Sequence, residues 1–444
     1  MTDLLIRDVD VVDGTGAARY RADVLVDRGR ITEIASPRTL SGADKTIAPE
    51  PGYALAPGFI DMHAHSDLRL LTDPGHFPKI SQGVTTEVIG QDGISYAPID
   101  DAALDVVRRQ IAGWNGNPSD LDFSWRSVAG YLDRLDQGIT PNAAYLVPQG
   151  TLRLLAVGAD QRPATPTEID RMQELLAQGL SEGAVGMSSG LTYTPGMYAD
   201  TAELAALCEV VAEFGGFYAP HTRSYGAGAL EAYAEMIELS RNTGCAVHLT
   251  HATMNFGVNR GRAPEFLDMV DAGLADGCDI TLDTYPYLPG ATTLSALLPS
   301  WAMSGGPDKA LELCKIRRPA RESPRTSTST APMAVTASPW NGRPSRSAEW
   351  VTPTWTSTSV GRSTRSRRTA DLRRWRCSSI CCSATSWPPP SCSMSATRRT
   401  SVQSWCTPST WVAAMPFWSV TGHIRERGEP FRATWDTTSA RSVC

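Results

Sequence analysis

The stretch Ala56-Pro57-Gly58-Phe59-Ile60-Asp61-Met62-His63-Ala64-His65-Ser66-Asp67 decides the reading of this chain. Its apolar run predicts a buried strand over residues 55–62 with two imidazoles at the end. Strand side chains alternate faces with period two, so His63 and His65 are expected to point the same way, the spacing for two ligands of one metal. Pro57 and Gly58 break the chain ahead of the strand, and Ser66 and Asp67 open the next loop with turn chemistry. At the carboxyl end of a parallel strand, such a pair faces the mouth of a barrel. Two loop histidines with no ligand role are the alternative at this point, and the later strands weigh against it.

Outward from that stretch, strand-like runs recur between helical periods: 85–90, 143–147, 184–188, 217–221, 246–251 and 280–285, with helical patterns such as 167–179 and 201–214 between them. Strands alternating with helices predict a parallel α/β arrangement, and with the first run they make seven of the eight strands a (β/α)8 barrel needs. Two later strands also end in histidine, Phe217-Tyr-Ala-Pro-His221 and Ala246-Val-His-Leu-Thr-His251. A carboxylate joins them in Ile89-Gly-Gln-Asp-Gly93, where flanking glycines let the backbone turn and bring Asp92 inward. Four imidazoles and one carboxylate could hold one or two divalent ions, which would lower the pKa of bound water toward neutrality. His248 lies three residues before His251, on the opposite strand face, and is read as structural. His76, in a proline-containing loop, is expected to be solvated. Residues 1–53 alternate short strand-like runs around Asp13-Gly-Thr-Gly and Asp27-Arg-Gly, which predicts hairpins of a small β domain completed by strands from the carboxyl end.

The 444 residues divide at a seam. Residues 1–315 hold 22 Lys+Arg and 41 Asp+Glu, a net of −19, whereas residues 316–444 hold 19 and 6, a net of +13. Beyond Lys315 there is no lysine or tyrosine and only one leucine, Leu372, unlike a folded domain's core. Cys208, Cys245, Cys278 and Cys314 are irregularly spaced and read as reduced thiols. The amino terminus lacks a signal-peptide pattern and no transmembrane run occurs, so a cytoplasmic protein with no membrane and no nucleic-acid partner is expected.

Residues 1–315 resemble the D-aminoacylase (N-acyl-D-amino-acid deacylase) family of the amidohydrolase superfamily. The resemblance is carried by the opening stretch, Gly83-Val-Thr-Thr, Ser189-Gly-Leu-Thr-Tyr-Thr-Pro-Gly, His221-Thr-Arg, Leu282-Asp-Thr-Tyr-Pro-Tyr and Leu294-Ser-Ala-Leu-Leu-Pro-Ser-Trp-Ala. It implies a (β/α)8 barrel over 54–315 with a small amino-terminal β domain, a zinc centre of one or two ions, and hydrolysis of the amide bond of an N-acyl-D-amino acid or related small molecule. It implies His63, His65, Asp92, His221 and His251 as metal ligands and Arg223, Tyr193 and Tyr285 near the substrate. Three departures stand out. Asp92 replaces the family's usual cysteine with a harder ligand. Thr253 replaces a lysine often found two residues past the last ligand histidine, leaving Arg223 to supply a fork for a substrate carboxylate or to form a structural salt bridge.

The third departure is the tail. The family's eighth strand carries a general-base aspartate in a Gly-Ser-Asp context, and residues 316–444 do not offer it. Permissible codons for 410–435, read one base earlier, do contain Gly-Ser-Asp, and 380–411 read the same way regains an amphipathic helical pattern. The tail therefore reads as out-of-frame, poorly folded sequence after one slip near Cys314 or Lys315, which makes a non-catalytic product the rival expectation. A cyclic amidase of the hydantoinase or dihydroorotase kind is the second alternative. The carboxylated lysine those enzymes typically use is excluded, since no lysine lies between Lys79 and Lys309.

Overall fold

The computed structural model describes residues 2–285, 290–315 and the pair 380–381. The amino-terminal portion forms a five-stranded sheet: β1 (Thr2–Val11), β2 (Tyr20–Asp27), β3 (Arg30–Ala35), β4 (Ala43–Ile47) and β5 (Ala54–Leu55), in the order β3-β2-β1-β4 with β5 also on β1. The Arg28-Gly29 turn between β2 and β3 takes positive φ at both residues, 48° and 73°, the two-residue hairpin geometry that Asp-Arg-Gly announces. Ile6, Val9, Val11, Ala22 and Val24 form this sheet's own small core.

The main sheet has seven strands: β6 (Phe59–Asp61), β7 (Val84–Ile89), β8 (Asn142–Pro148), β9 (Gly186–Gly190), β10 (Phe217–His221), β11 (Ala246–Leu249) and β12 (Ile280–Leu282). Each pairs in parallel with the next, in chain order, as the seven strand runs of the sequence require. Long helices between them, such as Pro166–Ser181 with its Thr165/Glu168 capping box, cover the sheet with leucine and methionine. The eighth strand, carboxyl-terminal strands completing the β domain and the out-of-frame reading lie outside the described residues, apart from a two-residue pairing of Ala291–Thr292 with Ile380–Cys381. Among the described residues no helix is long and apolar enough to cross a membrane.

Two expectations are corrected here. The first predicted strand splits: Ala54–Leu55 pairs with β1 of the small sheet, and the main sheet begins only at Phe59. Pro57 cannot donate to a ladder, and Gly58 lies so close to β7 that a Cβ there would be 2.1 Å from Thr85 Oγ1. His63 and His65 therefore follow the strand rather than lying on it. His76 is not solvated but buried, its Nε2 3.0 Å from Glu87 Oε2. A fully buried carboxylate on β7 needs a cationic partner, and Lys79 supplies it, with His76 packed on the other oxygen.

Candidate metal centre

Every candidate ligand comes from the carboxyl end of a strand. His63 and His65 follow β6, Asp92 follows β7, His221 closes β10 and His251 follows β11. The loop after β7 turns at Gly90, Asp92 and Gly93, with φ of 79°, 56° and 69°. It can do so only because glycine lies opposite: a Cβ at Gly190 would stand 2.0 Å from the Asp92 carbonyl oxygen. His251 also has a positive φ, 34°, so it faces the cup by a backbone bend rather than by strand alternation.

The sequence-predicted ligands meet. His63 Nε2 and His65 Nε2 are 3.3 Å apart, and His221 Nδ1 and His251 Nε2 are 3.0 Å apart. Asp92 lies between the pairs: Oδ1 is 3.8, 3.6 and 3.4 Å from the nearest nitrogens of His63, His221 and His251, and Oδ2 is 3.4 Å from His65 Nε2. Two three-residue groups result, His63–His65–Asp92 and Asp92–His221–His251, sharing the aspartate. Four tetrahedral ligands at about 2.0–2.1 Å from zinc would be about 3.3 Å from one another, the spacing of the His63–His65 pair, with the His221–His251 pair slightly tighter.

Protonation suits a cation. Burial holds the His63 imidazole down at about 3 and lowers His221. Burial alone would raise Asp92, yet its electrostatic coupling to the surrounding imidazoles of His63 and His221 holds its carboxyl well below the usual range. For His251, burial is outweighed by the nearby carboxylates of Asp92 and Asp283, and its pKa is raised. Asp92 Oδ1 is nevertheless buried without a hydrogen bond. An ionised oxygen without a donor, ringed by imidazole nitrogens, fits a divalent ion between them.

Residues not singled out in the sequence complete the cup. Thr192 Oγ1 is 2.7 Å from His221 Nε2, and Trp114 stacks on His65 with ring centroids 4.6 Å apart. Asp283 accepts the backbone N–H of His251 (2.5 Å) through Oδ1, while Oδ2 is 3.0 Å from Nε2 of buried His248. Its position one residue past β12 was a signal of the same kind as His221 and His251. Trp114, in Ile111-Ala-Gly-Trp-Asn, carries no comparable signal.

Of the substrate candidates, Tyr193 packs its ring 4.8 Å from that of His221, and its hydroxyl is 3.0 Å from Thr292 Oγ1. Tyr285 is partly buried, and burial together with the Asp92 charge raises its pKa. Arg223 gives Nε and Nη2 to Glu235 at 2.8 and 3.1 Å, so its fork already holds a carboxylate of this chain.

Fold and cup together define a parallel α/β scaffold carrying a candidate metal centre at its strand ends. Residues 51–312 match the amidohydrolase family, and the chain belongs to it. It is 35% identical over 302 residues to the D-aminoacylase of Alcaligenes xylosoxydans xylosoxydans, covering 66% of this chain and 59% of that protein. It is 36% identical to the N-acyl-D-glutamate deacylase of the same organism, covering 66% and 58%. Among solved structures, D-aminoacylase superposes with a TM-score of 0.59 at 35% identity over 66% of this chain and 60% of that one. The N-acyl-D-glutamate deacylase of Bordetella bronchiseptica, solved with zinc and a phosphonate mimic of the tetrahedral intermediate, gives 0.60 at 35% identity and the same coverage. The chain thus spans about three-fifths of the length of these relatives.

Proposed function

We propose that His63, His65, Asp92, His221 and His251 hold one or two divalent ions, zinc first among them, and that the protein hydrolyses the amide bond of N-acyl-D-amino acids. The observation that carries this reading is the buried Asp92 Oδ1, without a hydrogen bond and shared between two histidine pairs. The chemistry those five residues would bring, with a divalent ion bound, is polarisation of the acyl carbonyl and a water that is nucleophilic near neutral pH. The chain's own residues do the rest. Thr192 fixes the His221 ring through Nε2, and Asp283 fixes the His251 backbone. The Tyr193 phenol, raised by burial, stays protonated and donates to a substrate oxygen, with Tyr285 on the same cup. Arg223, braced by Glu235, contributes the remaining edge of its guanidinium to a substrate carboxylate. The oxygen of water adds to the acyl carbon, the amide C–N bond breaks, and the proton lost by the water goes to the nitrogen, which leaves as the amine of a D-amino acid while the acyl group leaves as a carboxylate. Assay of the purified chain on N-acetyl-D-amino acids, before and after chelation and zinc return, tests this. Zinc-dependent release of the D-amino acid supports the reading, and a zinc titration that finds no site refutes it.

A further inference from the structure

Beneath the His63–His65 loop lies a buried charged cluster that the proposed chemistry does not use. Asp61, the last residue of β6, accepts the backbone N–H of His63 through Oδ1 at 3.0 Å. Its Oδ2 is bonded by Lys79 Nζ, which also lies 2.8 Å from Glu87 Oε1 on β7. Glu87 Oε1 in turn accepts from Ser66 Oγ, the residue after His65, at 3.3 Å. His76 closes the far side of Glu87 at 3.0 Å, out of line for a hydrogen bond. The loop is thus held at both ends, at His63 by Asp61 and at Ser66 by Glu87, and one ammonium ties the two carboxylates together. Glu87 is fully buried and Asp61 nearly so, so without that cation they would repel each other in a medium that screens poorly.

We propose that Lys79 is a positioning residue for the metal centre: by joining Asp61 to Glu87 it fixes the turn that aims His63 and His65 at Asp92. The inference rests on the metal-centre reading above. Groups that orient ligands from behind typically change metal affinity by about 10–100-fold when removed.

The test is cobalt(II) and zinc titration of the full chain by calorimetry and by the cobalt absorption bands, alongside thermal melts of the metal-free protein. Lys79→Met alone leaves two buried carboxylates facing each other and is expected to lower both stability and affinity. The deciding variant is Lys79→Met with Glu87→Gln, which removes the excess charge and keeps the side-chain shape. Its metal-free melting temperature is expected to recover most of the loss, while cobalt binding stays about 10–100-fold weaker with altered bands, because Asp61 still lacks its ammonium. Recovery of affinity and bands together with stability would overturn the proposal. Failure of the unsubstituted chain to bind either ion would overturn the metal-centre reading, and this inference with it.

Discussion

Gly190→Ala places one methyl group where the fold has no room and reports on the metal cup. The added Cβ would be 2.0 Å from the Asp92 carbonyl oxygen and 2.7 Å from Tyr193 Cδ2, where contacts under 3.0 Å are essentially never seen. The neighbour at 2.0 Å is backbone, so rotation of a side chain gives no relief; the Asp92 loop must retreat by at least about 1 Å to restore a contact distance near the overpacking limit. Metal–ligand distances tolerate only about 0.2 Å, a fifth of that movement. Overpacking costs about 1–3 kcal/mol of stability, which for a chain of this size lowers the melting temperature by several degrees. Loss of the shared carboxylate is expected to weaken zinc binding by about 100-fold or more, about 2.7 kcal/mol. Gly179→Ala is the control: on the helix Pro166–Ser181 its Cβ would meet Val147 Cγ2 at 2.9 Å, away from Asp92. It adds the same methyl group to a crowded site and should bind zinc normally, whatever its net effect on stability. Equal zinc affinity in Gly190→Ala and the unsubstituted chain, measured by competition with a chromophoric chelator, would refute the claim that this glycine sets Asp92.

Arg153 and Glu203 form a wholly buried ion pair, with Gln149 Nε2 donating to the other Glu203 oxygen at 2.8 Å. Arg153→Met should cost about 3–5 kcal/mol in urea unfolding, and adding Glu203→Leu should recover most of it, because the penalty comes from the unpaired charge. Glu168 is held down at about 2, first by its hydrogen bonds to Arg162 and then by the Thr165 backbone. A depressed carboxyl stabilises the fold above its unfolded value and loses that contribution as pH falls toward 2. The difference in melting temperature between the unsubstituted chain and Glu168→Gln should therefore shrink as pH falls below about 4.5, and a difference independent of pH would count against the capping box. Sequencing the gene across the codons for Cys314 and Lys315 should find one base missing relative to a frame that continues the family's pattern, and an uninterrupted frame there would refute the out-of-frame reading of the tail.

The strand ends were the legible part of the sequence. Each apolar run closing on His221 or His251, and the glycine-flanked Asp92, declares both a strand and a direction, and the structure brings all three to one cup with His63 and His65. The details of aim were less legible, because they depend on backbone bends that no periodicity encodes. His63, His65 and His251 lie past their strands, and His251 has a φ of 34°. His76 was misread because its partner Glu87 is a lone acid in the otherwise apolar and threonine-rich β7, and only the fold places the two side by side. Arg223 shows another limit: the sequence leaves its fork between a substrate carboxylate and a salt bridge, and only the fold shows one edge held by Glu235, twelve residues away on the next helix.

The curvature of the main sheet decides how the site can be examined. His63 follows β6 and His251 follows β11, five strands apart in the ladder, which in a flat sheet would separate them by about 24 Å at about 4.8 Å per strand. Their ring centroids are 4.8 Å apart. Side chains alone cannot span that difference, so the seven strands have curled toward closure, and the strand ends converge as they do at a barrel mouth. Every candidate ligand lies on the described part of that curve, between β6 and β11, whereas the general base that the family resemblance implies is not among the described residues. Metal binding and turnover are therefore separable properties of this chain. A titration of metal into the protein interrogates the described strand ends alone, while an activity assay also draws on substrate contacts, so a protein that binds zinc tightly without releasing a D-amino acid would leave the metal cup intact and overturn only the substrate reading.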